Sequence, residues 1–592
     1  MKAEQTADIG LKIVSCLCFL SIAAALLLID RHSPATGYEL SMYESLPPLV
    51  WICLFAALAG GTGIIVHQAF AGQKSRYWLL GFSVLIFGIS IILLLPALRA
   101  YYLYGAADTL AVVQWTQTVL RGGHFWEGNQ YPITHILTAQ LVQLCGAPPE
   151  VIVKFIPVFF TSLFMLFSYL LASTVMPHKG QALLAAAATA LFFNYYHVCV
   201  YPQTLSIMLL PMVFYLYFKG FEKGSLPFRI AFVIVLLLFP YFHPAPAAAL
   251  IACLLAAEAA KALWRQRNRA SAAIGRRSVD RTTFEPALIC TVTFLTWIST
   301  YELFGTTIRR TLAWLIGEIE TIPHVEILER TLEQQGLSIA QQVELALKMY
   351  GDNLIYVALS SIALLLIAWA FWRRRDDTKK LFTLSMPFLV SGPVWVLIFA
   401  TTLRVTVGRL LGSNIMMWAV PVFAAFALYE MFGRWKRAGI IVVTSILLCV
   451  SVVGILGVYH SPYILQPSWQ ITTAGVVGSE WFHDHRGLES HATVLGEVTA
   501  WGASTFRMPD HFAYPQVQLL GSLLQRDFYL LINARFRAAA THPLLAKNMV
   551  CDPSMASSGF DDTDFARLER DPTLDRLYTN GGLDVMRINA VR

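Results

Sequence analysis

Trp78-Leu79-Leu80-Gly81-Phe82-Ser83-Val84-Leu85-Ile86-Phe87-Gly88-Ile89-Ser90-Ile91-Ile92-Leu93-Leu94-Leu95-Pro96-Ala97-Leu98 is a charge-free run bracketed by Arg76 and Arg99. About 20 apolar residues wound as a helix match the ~30 Å hydrocarbon layer of a bilayer. A run of this length without a charge therefore predicts a membrane span. The same criterion, carried outward, predicts thirteen spans: 11–29, 48–69, 78–98, 151–174, 182–198, 203–218, 229–242, 245–261, 286–304, 353–371, 382–402, 411–431 and 438–458. Pro202, Pro211, Pro240, Pro244 and Pro246 interrupt the stretch from 182 to 261, where span limits are least defined. The first run is expected to be a retained span, since its apolar core is long and no small-residue cleavage site precedes a soluble domain.

Composition agrees. Of 592 residues, 56% are apolar and 14% charged, against about a quarter charged in soluble domains. Too few polar residues remain to cover a wetted surface, which excludes a soluble enzyme, a disordered chain or a nucleic-acid-binding module for most of the length. Nine cysteines do not form a disulfide framework; eight lie in or beside apolar stretches, where a thiol acts as a small hydrophobe.

Basic residues gather in alternate connections: Lys74 and Arg76, then seven in 261–281, then Arg373, Arg374, Arg375, Lys379 and Lys380. The positive-inside rule places these in the cytoplasm. The N-terminus is then cytoplasmic and the tail 459–592 extracytoplasmic. That tail carries 11 basic and 14 acidic residues, without the basic excess of the cytoplasmic loops. Ala492–Gly496, Phe528–Ile532 and Leu583–Ile588 read as strands, 467–483 as an amphipathic helix, and Asn580-Gly581-Gly582 as the turn before the last strand. The expected architecture is a polytopic α-helical membrane protein of about 13 transmembrane helices (1–458) followed by a C-terminal extracytoplasmic α/β domain (459–592).

Polar residues collect on the outer side. In the external loop 99–150, Gly105-Ala106-Ala107-Asp108-Thr109 precedes a helical pattern that closes at Gly122-Gly123, and Pro132 marks a second helix. Leu110, Val113, Trp115, Val119 and Leu120 alternate with Gln114, Thr116, Gln117 and Thr118, a pattern suited to a helix on the membrane surface. Asp108 there is either an N-cap or a catalytic carboxylate, two compatible roles. Asn194-Tyr195-Tyr196-His197 leads into Tyr201-Pro202-Gln203, and His243 stands between Pro240 and Pro244. Histidines at membrane depth face a cavity or an interface rather than lipid. A second external loop, 305–351, holds Glu318, Glu320, His324 and Glu326. Arg404 and Arg409 follow at another outer connection, where a guanidinium either holds phosphate or snorkels to headgroups. Lys154 reads as snorkelling. Phosphate-loop, HExxH, CxxC and dinucleotide-binding signatures are absent from the sequence.

Taken together, Gly105-Ala-Ala-Asp108-Thr109, Tyr131-Pro132, His197…Tyr201-Pro202-Gln203, His243-Pro244 and the tail from His460-Ser461-Pro462 to Asn580-Gly581-Gly582 resemble the GT-C superfamily of polytopic membrane glycosyltransferases. The resemblance implies a polyprenyl-phosphate-linked sugar as donor, a glycan, lipid or protein acceptor of the cell envelope, and a plasma or inner membrane location. It also implies Asp108 as catalytic base. Two spans precede the one before Asp108, an N-terminal addition to the family pattern. No Asp-Glu pair, Trp-Trp-Asp motif or metal-binding acidic triad is found, so no metal or other cofactor is expected and monosaccharide transfer with inversion is favoured. Arg404 and Arg409 are then candidate phosphate holders, and His197, His243, Tyr131 and Gln203 candidate sugar contacts. The competing readings are a lipid-linked saccharide transporter or flippase, and a non-catalytic envelope-assembly protein.

Overall fold

Uncharged runs become long helices because, in lipid, a helix is the way a single segment satisfies its own backbone amides. The computed structural model describes the chain apart from residues 1, 72–75, 106, 193, 223, 270–283, 317, 319–337, 374, 402–414, 487–490, 496–527, 546–559 and 590–592. Among the described residues nine helices are long and apolar enough to cross a membrane: Ile9–Asp30, Pro48–Phe70, Trp78–Leu98, Pro149–Val175, Pro202–Phe221, Pro244–Arg267, Ile339–Trp372, Asp376–Ile398 and Val420–Val458. The chain is a polytopic α-helical membrane protein.

The expected spans 229–242 and 286–304 correspond to the shorter apolar helices Leu226–Tyr241 and Glu285–Ile298. For 182–198 the helix is only Lys179–Ala190; Asn194 then accepts the Tyr196 amide and sets a 3₁₀ turn. The expected spans 411–431 and 438–458 share Val420–Val458, which breaks at Gly433–Trp435, with Lys436 at φ 44°. Among the described residues, length and apolarity thus support crossing for nine helices, with Val420–Val458 holding two of the thirteen expected spans.

Packing sorts these helices into lipid-facing and internal ones. Ile9–Asp30 leaves Ile13, Leu17, Leu20 and Leu27 exposed, as suits contact with acyl chains. Pro202–Phe221 is largely enclosed, and Ala182–Ala188 lie in the core, where small side chains allow close helix approach. The buried charges of Glu258 and Lys261 satisfy one another. Tyr217 Oη donates to Glu258 Oε1 (2.6 Å), and Lys261 Nζ pairs with the same oxygen (2.6 Å).

Beyond the last span, β3 (His491–Leu495), β4 (Phe528–Asn533), β5 (Leu574–Thr579) and β6 (Leu583–Ile588) form a sheet in the order β3-β4-β6-β5, with β3 parallel to β4 and the rest antiparallel. Strand alternation gives each face its own core. Leu530 and Ile532 pack with Phe536, Phe565 and Met586, whereas Leu531 packs with Phe482 and Val585. The predicted turn closes β5 onto β6: Asn580 Oδ1 accepts the amides of Gly582 (3.0 Å) and Leu583 (3.1 Å).

The expected helix 467–483 begins instead at Thr473 and runs to His485, because Thr472 Oγ1 caps it by accepting the Gly475 amide (2.9 Å). Before that cap, Gln470–Ile471 (β2) pairs antiparallel with Leu103–Tyr104 (β1), just after the helix Trp78–Leu98.

A β-carbon at Gly582 would stand 2.3 Å from the Gly475 amide nitrogen and 2.5 Å from the Ala474 carbonyl carbon. Gly582→Ala is therefore expected to force the hairpin from the helix and cost about 1–3 kcal/mol. A lowered unfolding temperature of the purified full chain, by fluorescence, is the measurement.

Candidate functional site

Gly105 sets the turn that presents Asp108. Its φ of +124° favours glycine, and a β-carbon would meet Thr109 Oγ1 at 2.4 Å and Cys199 Sγ at 3.0 Å. The Gly105 amide donates to the Trp469 carbonyl (3.0 Å) and the Tyr102 amide to Ile471 (3.1 Å), which continues the β1–β2 pairing on both sides. Asp108 follows in the first turn of the helix Ala107–Gly122. It is not the N-cap that its residue type suggested, although an anion in a first turn is still favoured by the helix dipole. Its side chain is exposed, whereas the neighbouring Thr109 is buried. Burial, with the Asp108 charge adding to it, pushes the Cys199 thiol up.

The helix ends as expected, at Gly123 with φ +71°, whose amide donates to Val119 (2.9 Å). Its polar positions are not all on a wet face, however. Gln114 and Thr116 are buried with Leu110, Val112 and Val113, since the helix packs against Ile133–Cys145, Pro149–Val175 and β1.

A small cleft of about 20 Å³, room for roughly one water, lies beside this turn, lined by Leu93, Tyr104, Thr109, Val153, Lys154 and Val200 among others. Leu93 and Val153 belong to the loop-facing ends of two long apolar helices, so the cleft joins polar loop to membrane bundle. Lys154, read from sequence as snorkelling, lines it and donates from Nζ to the Tyr101 carbonyl (2.9 Å).

Tyr131 and His243, 112 positions apart, are brought together. Their rings stack at 5.4 Å and 22°, and His243 Nδ1 accepts the Ala245 amide (3.2 Å). Tyr131 also packs on Trp115 (5.7 Å). Its amide donates to Asn129 Oδ1 (3.2 Å), while Asn129 Nδ2 bonds His135 Nδ1 (2.8 Å). Tyr301 Oη and Trp297 Nε1 hold the same loop through the carbonyls of Asn129 (2.9 Å) and Gln130 (3.0 Å). Asn129, His135 and Trp115 were missed from sequence; the local signal was an Asn followed by Pro132 and a histidine two residues into the next helix.

His197 is fully buried between Phe164 and Phe192. Its Nδ1 accepts the Asn194 amide (3.1 Å), so it shapes the turn that carries Cys199. Gln203 is half-buried in the first turn of Pro202–Tyr217. Arg404 and Arg409, with Glu320, His324 and Glu326, lie outside the described residues. Among the described residues no three His, Cys, Asp or Glu side chains converge as a metal site.

No protein-family profile matches the chain, and no curated protein matches it. Comparison with solved structures finds distant similarity. The Archaeoglobus fulgidus oligosaccharyltransferase solved with Zn and sulfate is 11% identical, with 80% of this chain and 70% of that one covered, at a TM-score of 0.43. The archaeal oligosaccharyltransferase AglB from Archaeoglobus fulgidus, solved with an inhibitory peptide and a dolichol-phosphate, gives 10%, 81%, 72% and 0.43 on the same measures. Arabinofuranosyltransferase AftD from Mycobacteria gives 12%, 87%, 40% and 0.42.

Burial pushes His135 and His460 down to about 3 from an ordinary 6.5. Both therefore stay neutral when folded but take up protons when unfolded below about pH 6.5. Their stabilisation is complete above that pH and is lost as pH falls towards 3, by about 2 kcal/mol per histidine at pH 5. His135→Gln is expected to flatten the decline of unfolding temperature between pH 7 and 5. An unchanged slope contradicts the assignment.

Proposed function

We propose that the chain is a GT-C-type membrane glycosyltransferase. It moves a sugar from a polyprenyl-phosphate-linked donor to a glycan, lipid or protein acceptor of the cell envelope, with inversion, on the outer face of the plasma or inner membrane. The loop charges support this orientation, with residues 1–458 as the membrane domain and 459–592 outside. The observation that carries the proposal is an accessible carboxylate, Asp108, fixed at a helix start by Gly105 and the β1–β2 pair. Beside it a cleft carries the Lys154 ammonium and reaches the ends of two long apolar helices.

The chemistry requires one base and one holder of an anion. As the acceptor hydroxyl oxygen bonds to the anomeric carbon, Asp108 takes its proton. The bond from that carbon to the phosphate oxygen breaks, and the electron pair leaves with the lipid phosphate. Charge developing on the phosphate is offset by fixed cations. Lys154 is placed for that task, and Arg404 and Arg409 complete the proposed set. A single base acting on one face gives inversion. Tyr131 stacked on His243 offers a flat aromatic surface and Gln203 an amide for sugar hydroxyls. His197, enclosed and bonded to Asn194, is read as shaping the Cys199 turn rather than meeting the sugar.

Asp108→Asn is expected to lower transfer from a labelled polyprenyl-phosphate sugar by about 10²–10⁴-fold while the protein remains folded. Full activity in that variant contradicts the proposal. Lys154→Gln is expected to raise KM for the lipid donor about tenfold, a loss of ~1.4 kcal/mol of binding, with little change in KM for acceptor.

A further inference from the structure

The segment between the first two membrane helices lies against both partners of the β1–β2 pair. On one side, the Glu39 carboxylate pairs with the Arg99 guanidinium and accepts the Tyr101 hydroxyl. Arg99 also donates to the Ser33 carbonyl, and the Ala35 amide donates to the Arg99 carbonyl (3.1 Å). On the other side, Tyr38 Oη donates to the Ser468 carbonyl (2.7 Å), and the Ser468 amide donates to Leu40 (3.2 Å). Gln470 closes the loop twice: Nε2 donates to the Gly37 carbonyl (2.9 Å), and Oε1 accepts the Glu39 amide. Leu40 packs against one face of the C-terminal sheet's core. Residues 33–41 thus hold Arg99–Tyr101, which lead into β1, against Ser468 and Gln470, at the start of β2. Four residues after β1 comes Asp108.

Arg99 is only 4% exposed in its side chain and Glu39 15%. A charge so enclosed needs its partner, because water cannot replace it. The pair is therefore stringent about where the strap sits, and the two strands are too short to hold their register alone.

We propose that Glu39, through its ion pair with Arg99, is a positioning residue for Asp108, and that residues 33–41 form a strap coupling the C-terminal sheet to the carboxylate turn. This rests on the glycosyltransferase reading for its kinetic consequence but not for its structural one. Glu39→Gln keeps the shape and leaves Arg99 unpaired. The expected result is a fall in kcat of tenfold or more, with KM for the polyprenyl-phosphate sugar within twofold of the unmodified protein. A disulfide between Leu103→Cys and Ile471→Cys, which are register partners, introduced into the Glu39→Gln protein, is expected to restore kcat once oxidised, and reduction should abolish the restoration. A merely structural weakening elsewhere would not respond to that cross-link. Hydrogen exchange of the same Glu39→Gln protein, without substrates, should show amides at 102–109 exchanging at least tenfold faster. Unchanged exchange there, or a lost kcat that the formed disulfide fails to restore, overturns the proposal. If the unmodified protein transfers no sugar yet exchange at 102–109 accelerates in the variant, the strap stands and the glycosyltransferase reading falls.

Discussion

Pairing of Leu103–Tyr104 with Gln470–Ile471 is the constraint on which the loop-side half of the molecule depends. Two residues per strand make too little sheet to persist alone. The pair persists because it is buried and because its neighbours add bonds of their own. The Tyr102 and Gly105 amides extend it, and Tyr104 Oη accepts the His460 amide (2.9 Å). Aromatic contacts then seal it: His460 stacks on Trp469 at 4.2 Å, and Tyr195 meets both rings edge-on. A buried amide without a partner is costly, so slippage of this pair would strand several at once. Asp108 is held in place by that penalty.

The same logic divides labour along the membrane normal. Within the bundle, the Glu258–Lys261–Tyr217 group is internally satisfied and tightly packed. In the loop-side layer, polar groups are placed by backbone contacts and remain reachable: Asp108 at a helix start, Lys154 on a carbonyl, His243 on an amide and stacked with Tyr131. Tight satisfaction fixes structure in the first region; partial exposure in the second leaves groups available for chemistry.

Sequence made the spans legible wherever a charge-free run was unbroken, as in 78–98, because length and apolarity are local properties. It overstated 182–198, where the Asn194 cap and the His197 turn end the helix early through side-chain bonds that hydropathy does not register. The strands of the C-terminal sheet followed from alternation, but 467–483 was misread as wholly helical because the partner of Gln470–Ile471 lies at Leu103–Tyr104. At the site, Gly105 and Asp108 were visible from local turn and helix chemistry, with Asp108 displaced from cap to first turn. Its carboxylate is exposed, and Thr109 lines the cleft. Lys154 looked like a snorkelling residue because the Tyr101 carbonyl it bonds is 53 residues distant. Glu39 left no local mark at all, since each of its partners comes from elsewhere in the chain.

The most direct test of the account is the fate of the anomeric bond. The purified protein, reconstituted in vesicles, is incubated with a polyprenyl-phosphate sugar isotopically labelled at the anomeric carbon and with envelope acceptor, and the product is read by NMR. Glycosyl transfer predicts covalent incorporation of the label into acceptor with inverted configuration. Label that crosses the vesicle still joined to its lipid phosphate, or that is incorporated with retained configuration, contradicts the account.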